Sequence, residues 1–231
     1  MRPAAGLHPG SDEGGRVALV IAAGELPPPA LVRGVIEGTS TVVVADGGLH
    51  HAALLGLEPD LIVGDMDSVD ADLLAEYSQA KVERHSEDKA QIDLELALAA
   101  ARRSGARSAR VLAAFGDRFD QSLAALLIAA RLAGDPAAFP VALHGGNHSA
   151  YPVTPALPRS LHIPYGTVLS LLSLEGDAVV SVGGVRYALD HALLPFGTGL
   201  GVSNVATEDI VEVTCFEGSV ALIVEHSETR D

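Results

Sequence analysis

Gly64-Asp65-Met66-Asp67-Ser68 follows the apolar run Leu61-Ile62-Val63 and crowds two carboxylates into one tight turn. Two ionised carboxylates this close repel each other, so a cation, a proton or full solvation must compensate them. At the end of a strand the fitting cation is Mg²⁺, a hard ion that takes carboxylate oxygens and keeps sites free for water and phosphate. Asp65 and Asp67, two apart, can point to one side while Met66 points away, a spacing suited to two ligands of one metal. A solvated acidic turn is compatible with the same five residues. The choice therefore depends on what accompanies them.

Three further clusters do. Ala45-Asp46-Gly47-Gly48 puts a carboxylate and paired glycines after the apolar run 41–44, where a backbone can approach a ligand closely at a helix start; a capping Asp with turn glycines is the structural alternative. The segment 87–95 carries Lys89 and Asp93 into an Ala/Leu helix. Asp93 suits the helix dipole without any function, and Lys89 either meets a phosphate or is solvated. Phe115-Gly116-Asp117-Arg118-Phe119-Asp120-Gln121-Ser122 sets Arg118 between two aspartates, as a surface ion-pair network or as a planar cation for phosphoryl oxygens.

The elements that must carry these clusters follow from periodicity. Strands are expected at 17–22, 41–45, 61–63 and 110–114, with helices at 29–37, 48–55, 71–79, 92–103 and 122–133. That alternation predicts an α/β fold, a Rossmann-like, mostly parallel sheet with flanking helices, whose ligands bind beyond the carboxyl ends of the strands. Ser68 or Asp70 is positioned to cap the helix from 71. After four prolines between 152 and 164, short β-type runs at 168–174, 178–182, 210–216 and 220–224 predict a C-terminal all-β sandwich domain. The expected organisation is a disordered tail over 1–15, a nucleotide- and metal-binding catalytic domain over 16–150, a linker over 151–160 and a β-sandwich over 161–228.

The chain has 231 residues, a formal charge of −15, no Trp and one cysteine. No basic stripe could neutralise a nucleic-acid backbone, whereas one triphosphate can be held by Mg²⁺ and a local Arg or Lys on an acidic surface. No apolar run reaches the roughly 20 residues of a spanning helix. No signal peptide is visible, so a cytoplasmic protein without a membrane partner is expected. Cys215 reads as a small buried thiol in a strand. His144-Gly145-Gly146-Asn147-His148 reads as a loop, His50 and His51 as helical with only one able to face the site, and Gly197-Thr198-Gly199-Leu200-Gly201 as no dinucleotide fingerprint.

In order and spacing the four clusters resemble those of thiamine pyrophosphokinases. Gly184-Val185-Arg186-Tyr187-Ala188-Leu189 and Gly199-Leu200-Gly201-Val202-Ser203-Asn204 are similar to that family's β-domain motifs, so the resemblance runs from about Val17 to Val224. It implies transfer of pyrophosphate from ATP to the hydroxyl of thiamine, with release of AMP. Asp46, Asp65, Asp67 and Asp93 become the implied Mg²⁺ ligands. Asp65, Asp67, Asp93 and Arg118 become catalytic, while Gly47, Gly48, Lys89 and Asp120 join Asp46 around the nucleotide. Ser203 and Asn204 would face thiamine across a homodimer interface.

Where the family pattern reads Lys-Asp-x-Thr-Asp and Gly-Gly-Arg-x-Asp-His, this chain has Ala90, Ile92, Asp117 and Gln121, and Ala125 stands where Asn is usual. These changes are expected to take a carboxylate, a hydroxyl, an imidazole and an amide from the nucleotide side. They motivate two alternatives: a regulatory protein that binds a nucleotide or thiamine compound, and a pyrophosphokinase for another alcohol such as a pterin. Without Trp, a stacking aromatic must be Tyr187, Phe196 or another residue.

Overall fold

The structure is a computed structural model that describes residues 15–86 and 90–226. Its first half alternates strands and helices: β1 (Val17–Ile21), α1 (Pro29–Ile36), β2 (Thr41–Ala45), α2 (Leu49–Leu55), β3 (Leu61–Gly64), α3 (Ala71–Glu76), β4 (Lys81–Arg84), α4 (Asp93–Arg103), β5 (Ser108–Leu112) and α5 (Phe119–Gly134). A single turn of 3₁₀ helix, Asp46–Gly48, joins β2 to α2. Local chemistry sets the helix ends. Pro29 opens α1 where a missing N–H costs no bond, Asp70 caps α3 by accepting the Asp72 N–H at 2.9 Å, and left-handed Gly56 closes α2.

The second half is β structure: β6 (Val141–Gly145), β7 (His148–Val153), β8 (Arg159–His162), β9 (Val168–Ser173), β10 (Ala178–Gly183), β11 (Leu189–Leu194), β12 (Asn204–Val205), β13 (Ile210–Glu217) and β14 (Val220–Glu225). One sheet runs through both halves in the order β12-β9-β14-β7-β6-β5-β1-β2-β3-β4, and a second has the order β11-β10-β13-β8. From β6 to β4 neighbours are parallel; from β7 outward they are antiparallel.

Three apolar clusters hold the layers. Helices α4 and α5 cover one face of the parallel strands through Leu94, Leu98, Ala125 and Ala129 on Val20, Val111 and Val141. The opposite face packs α1 and α2 through Val32, Val35 and Leu49 against Leu19, Ile21 and Leu112. The antiparallel end of the large sheet closes on the smaller sheet, with Leu171, Leu222 and Val224 facing Val180, Val211 and Val213. Cys215 lies in that sandwich core, and burial pushes its thiol up.

Mixed α/β layering followed by a β-sandwich agrees with the sequence expectation. Residues 151–153, read as the start of a linker, instead complete β7, which pairs with β14 from Val153↔Val220 to His148↔Glu225. The His144 to His148 loop is a tight β-hairpin with His144 buried inside β6. Of the expected tail only Gly15 falls among the described residues. Among them, no helix is long and apolar enough to cross a membrane.

Candidate active site

In the parallel part, β1 is followed outward by β2, β3 and β4, whereas β5 lies on its other side. Connections therefore diverge between β1 and β5, and the carboxyl ends of these strands form the crevice where such sheets bind ligands. A cleft of about 520 Å³ occupies that place, walled by the loops after β1, β2, β3 and β5 and by the start of α4.

Three carboxylates converge there. Single oxygens of Asp46, Asp65 and Asp67 all lie within 4.8 Å of one another. Asp46 is buried and held at φ 36°, with Oδ1 accepting the Met66 N–H at 3.1 Å. Gly64 permits this approach, since a Cβ there would sit 2.7 Å from the Asp46 Cβ. Asp65 accepts the Asp67 N–H at 3.2 Å, and the Ser68 hydroxyl donates to Asp67 at 2.9 Å. Met66, at φ 68°, turns its side chain into the apolar layer under α2. Burial raises the Asp46 carboxyl pKa above its ordinary value; Ser68 opposes that shift, and the negative charges of Asp93, Asp65 and Asp67 add to it. A desolvated carboxylate among three others fits a hard divalent cation, which would replace the missing hydration with charge.

Asp93 opens α4 on the same cleft, and Gly47 lines it beside Asp46. Gly48 lies beneath, so close to β1 that a Cβ would come 2.3 Å from the Ile21 carbonyl oxygen. On the opposite wall, α5 begins three residues earlier than expected and brings Asp120 into its first turn. Asp120 grips Arg118 with two bonds, Nε to Oδ1 at 2.9 Å and Nη2 to Oδ2 at 2.6 Å. That bond to Arg118 holds the Asp120 carboxyl down to about 2. Arg118 remains exposed and lines the cleft. Lys89 lies outside the described residues.

Among the substituted positions, Ile92, Asp117 and Gln121 line the cleft, but Ala125 is packed in the core under α5. Its methyl group takes no amide from the ligand side. Glu25 and Ser68 also line the cleft. The position of Glu25, just past Gly24 at the end of the apolar run of β1, was the available signal for it.

Ser203 and Asn204 stand elsewhere. Asn204 is in β12, one edge of the large sheet, while Asp65 follows β3, next to the other edge. Eight strand-to-strand steps separate them, about 38 Å at ~4.8 Å per step. Asn204 is buried, and its amide is bonded to the main chain of Tyr187. Ser203 is exposed at φ 60°.

The catalytic-domain family of thiamin pyrophosphokinase matches residues 32–137, and the family of its vitamin B1 binding domain matches residues 156–220. The chain belongs to the thiamine pyrophosphokinase family. Solved thiamine pyrophosphokinases share its fold. The Bacillus subtilis structure has a TM-score of 0.79 at 19% identity, covering 92% of this chain and 100% of that one. Those from Candida albicans and yeast have TM-scores of 0.75 and 0.74 at 17% and 14% identity, covering 92% and 93% of this chain and 90% and 87% of theirs. No curated protein sequence matches the chain.

Proposed function

We propose that this thiamine pyrophosphokinase family member transfers the terminal pyrophosphoryl group of ATP to the hydroxyl of thiamine, giving thiamine diphosphate and AMP. The observation that carries the reading is the convergence of Asp46, Asp65 and Asp67 in the switch-point cleft, opposite Arg118. In the reaction the alcohol oxygen attacks the β-phosphorus, the bond to the α,β-bridging oxygen breaks, and AMP leaves. Asp46, Asp65 and Asp67, with Asp93 beside them, would hold Mg²⁺. When bound, the ion would supply neutralisation of the phosphate charge.

The chain's own groups do the rest. Arg118, held flat by Asp120, presents its guanidinium to the transferring phosphoryl oxygens. Gly24, Gly47 and Gly116 leave the walls low enough for phosphates to approach the backbone. Asp67 or Asp93 accepts the alcohol proton.

A homodimer belongs to this proposal. Ser203 and Asn204 lie too far along the sheet to serve the carboxylates of their own chain, so a second copy would deliver them. Two exposed apolar surfaces support such a partner: Phe119, Leu123 and Leu127 along α5, beginning at the cleft mouth, and Tyr187, Phe196, Leu200 and Val202 in the β-sandwich. Tyr187 or Phe196 would then offer a stacking ring for the heterocycle.

Purified protein given ATP, Mg²⁺ and thiamine should release AMP rather than ADP, and Asp65→Asn should stop it. ATP binding without AMP release for any acceptor would leave a nucleotide-binding protein instead. AMP release that ignores thiamine and follows another alcohol, such as a pterin, would move the acceptor.

A further inference from the structure

We infer that His51 is a positioning residue for the phosphate side of the cleft. It acts by fixing the peptide between Gly24 and Glu25, against which the Arg118 loop is packed. His51 Nε2 lies 2.7 Å from the Gly24 carbonyl oxygen. A carbonyl only accepts, so Nε2 carries the proton and donates. The other end of the same peptide is held too, the Glu25 N–H donating to the Phe115 carbonyl at 2.6 Å. One peptide plane is thus clamped between α2 and the loop that follows β5.

That loop has no freedom to move independently. The Gly24 N–H donates to the Ala113 carbonyl at 2.9 Å, and the Glu25 carbonyl accepts the Gly146 N–H at 3.0 Å. A Cβ on Gly24 would come 2.3 Å from the Phe115 oxygen, and one on Gly116 would come 3.1 Å from the Gly24 Cα. The two loops touch main chain to main chain, so a shift of one must move the other. Gly116 leads directly to Asp117 and Arg118. At the far end of the linkage, His51 shares the segment Asp46–Leu55 with Asp46, five residues upstream. The imidazole therefore joins the carboxylate wall to the guanidinium wall. His50 is exposed on α2 and takes no such role.

The inference rests on the pyrophosphoryl-transfer reading, and two measurements separate its failure from that one. Misplacing a charge-stabilising group by about 1 Å costs on the order of 100-fold. His51→Ala should therefore lower kcat about 10- to 100-fold with the thiamine KM unchanged, and His51→Gln, which keeps an N–H donor, should recover most of the loss. Amide exchange at Glu25 should quicken at least about 10-fold in His51→Ala. Parental kcat in His51→Ala, equal loss in His51→Gln and His51→Ala, or unchanged exchange at Glu25 would each overturn the inference. If the parent protein transfers no pyrophosphate, the exchange measurement alone decides whether the clamp exists.

Discussion

Asn204 holds the main chain of Tyr187 on both sides of its Cα: its Oδ1 accepts the Tyr187 N–H at 3.0 Å and its Nδ2 donates to the Tyr187 carbonyl at 2.9 Å. The same Oδ1 also accepts the Val205 N–H at 2.9 Å. Tyr187 itself projects into solvent, 66% exposed, so the amide fixes the base of the ring, together with the Arg186 N–H that donates to the Val205 carbonyl at 2.9 Å. Asn204→Ala would leave three main-chain groups to find new partners, at a cost of about 1–3 kcal/mol. Urea denaturation should register that loss. If the ring meets thiamine, the thiamine KM should rise further than the ATP KM.

The carboxylate triad predicts a conflict between stability and function. Asp46 is desolvated beside like charges, so Asp46→Asn removes repulsion while the amide oxygen still accepts the Met66 N–H, and Asn tolerates the positive φ. Without Mg²⁺ the variant should melt higher than the parent, by on the order of 1 kcal/mol or about 2–4 °C at this chain length. Mg²⁺ should raise the parent's melting temperature and leave the variant's unchanged, with kcat at least about 100-fold lower. Calorimetric scans with and without Mg²⁺ check both signs.

Arg118 and Asp120 form a forked pair whose two side chains are both about two-thirds exposed, so solvent screening keeps its contribution to stability small. Arg118→Ala should therefore leave the melting temperature unchanged and reduce kcat about 100- to 1,000-fold. Freed of its partner, the Asp120 carboxyl should rise from about 2 toward the usual carboxylate range, readable by NMR titration.

The elements that hold these residues were visible in sequence to different degrees. Buried parallel strands such as Val17–Ile21, Thr41–Ala45 and Leu61–Gly64 are short apolar runs followed by turn residues, and Asp46 and Asp65 stand directly at the ends of the last two. Strand β4, Lys-Val-Glu-Arg, is a partly solvated edge and carries no such run. Strand β7 was hidden by Pro152. Its ladder to β6 stops at Ala150, so beyond that point one side of β7 is free and a proline breaks no bond there. Strand order is non-local, and no spacing in the chain could have told that Asn204 and Asp65 lie near opposite edges of one sheet. His51 was legible as helical, with either it or His50 able to face the site, but its bond reaches back 27 residues to a loop carbonyl that no local spacing shows.

Two histidines should make the fold acid-sensitive. Ser149 Oγ sits between them, 2.7 Å from His144 Nδ1 and 2.7 Å from His226 Nε2. With one hydroxyl proton, Ser149 can donate to one ring and accept from the other, and the ring that accepts must be a neutral imidazole. Burial, then the charges of His226 and Arg110, lower His144 to about 3; burial, then His148, lowers His226 to about 4. Tyr151, edge-on to the His144 ring, stays a neutral phenol. Both folded values lie below the unfolded 6.5, so the unfolded chain binds more protons in between. The contribution is complete above about pH 6.5. It is lost as pH falls from about 6.5 toward about 4 for His226 and about 3 for His144, with a slope near pH 5 set by about two extra protons on the unfolded chain. Urea midpoints should be level above about pH 6.5 and follow that slope below it. His226→Gln, which keeps a bond to Ser149 without a titrating ring, should halve it, and an unchanged slope in that variant would remove His226 from the account.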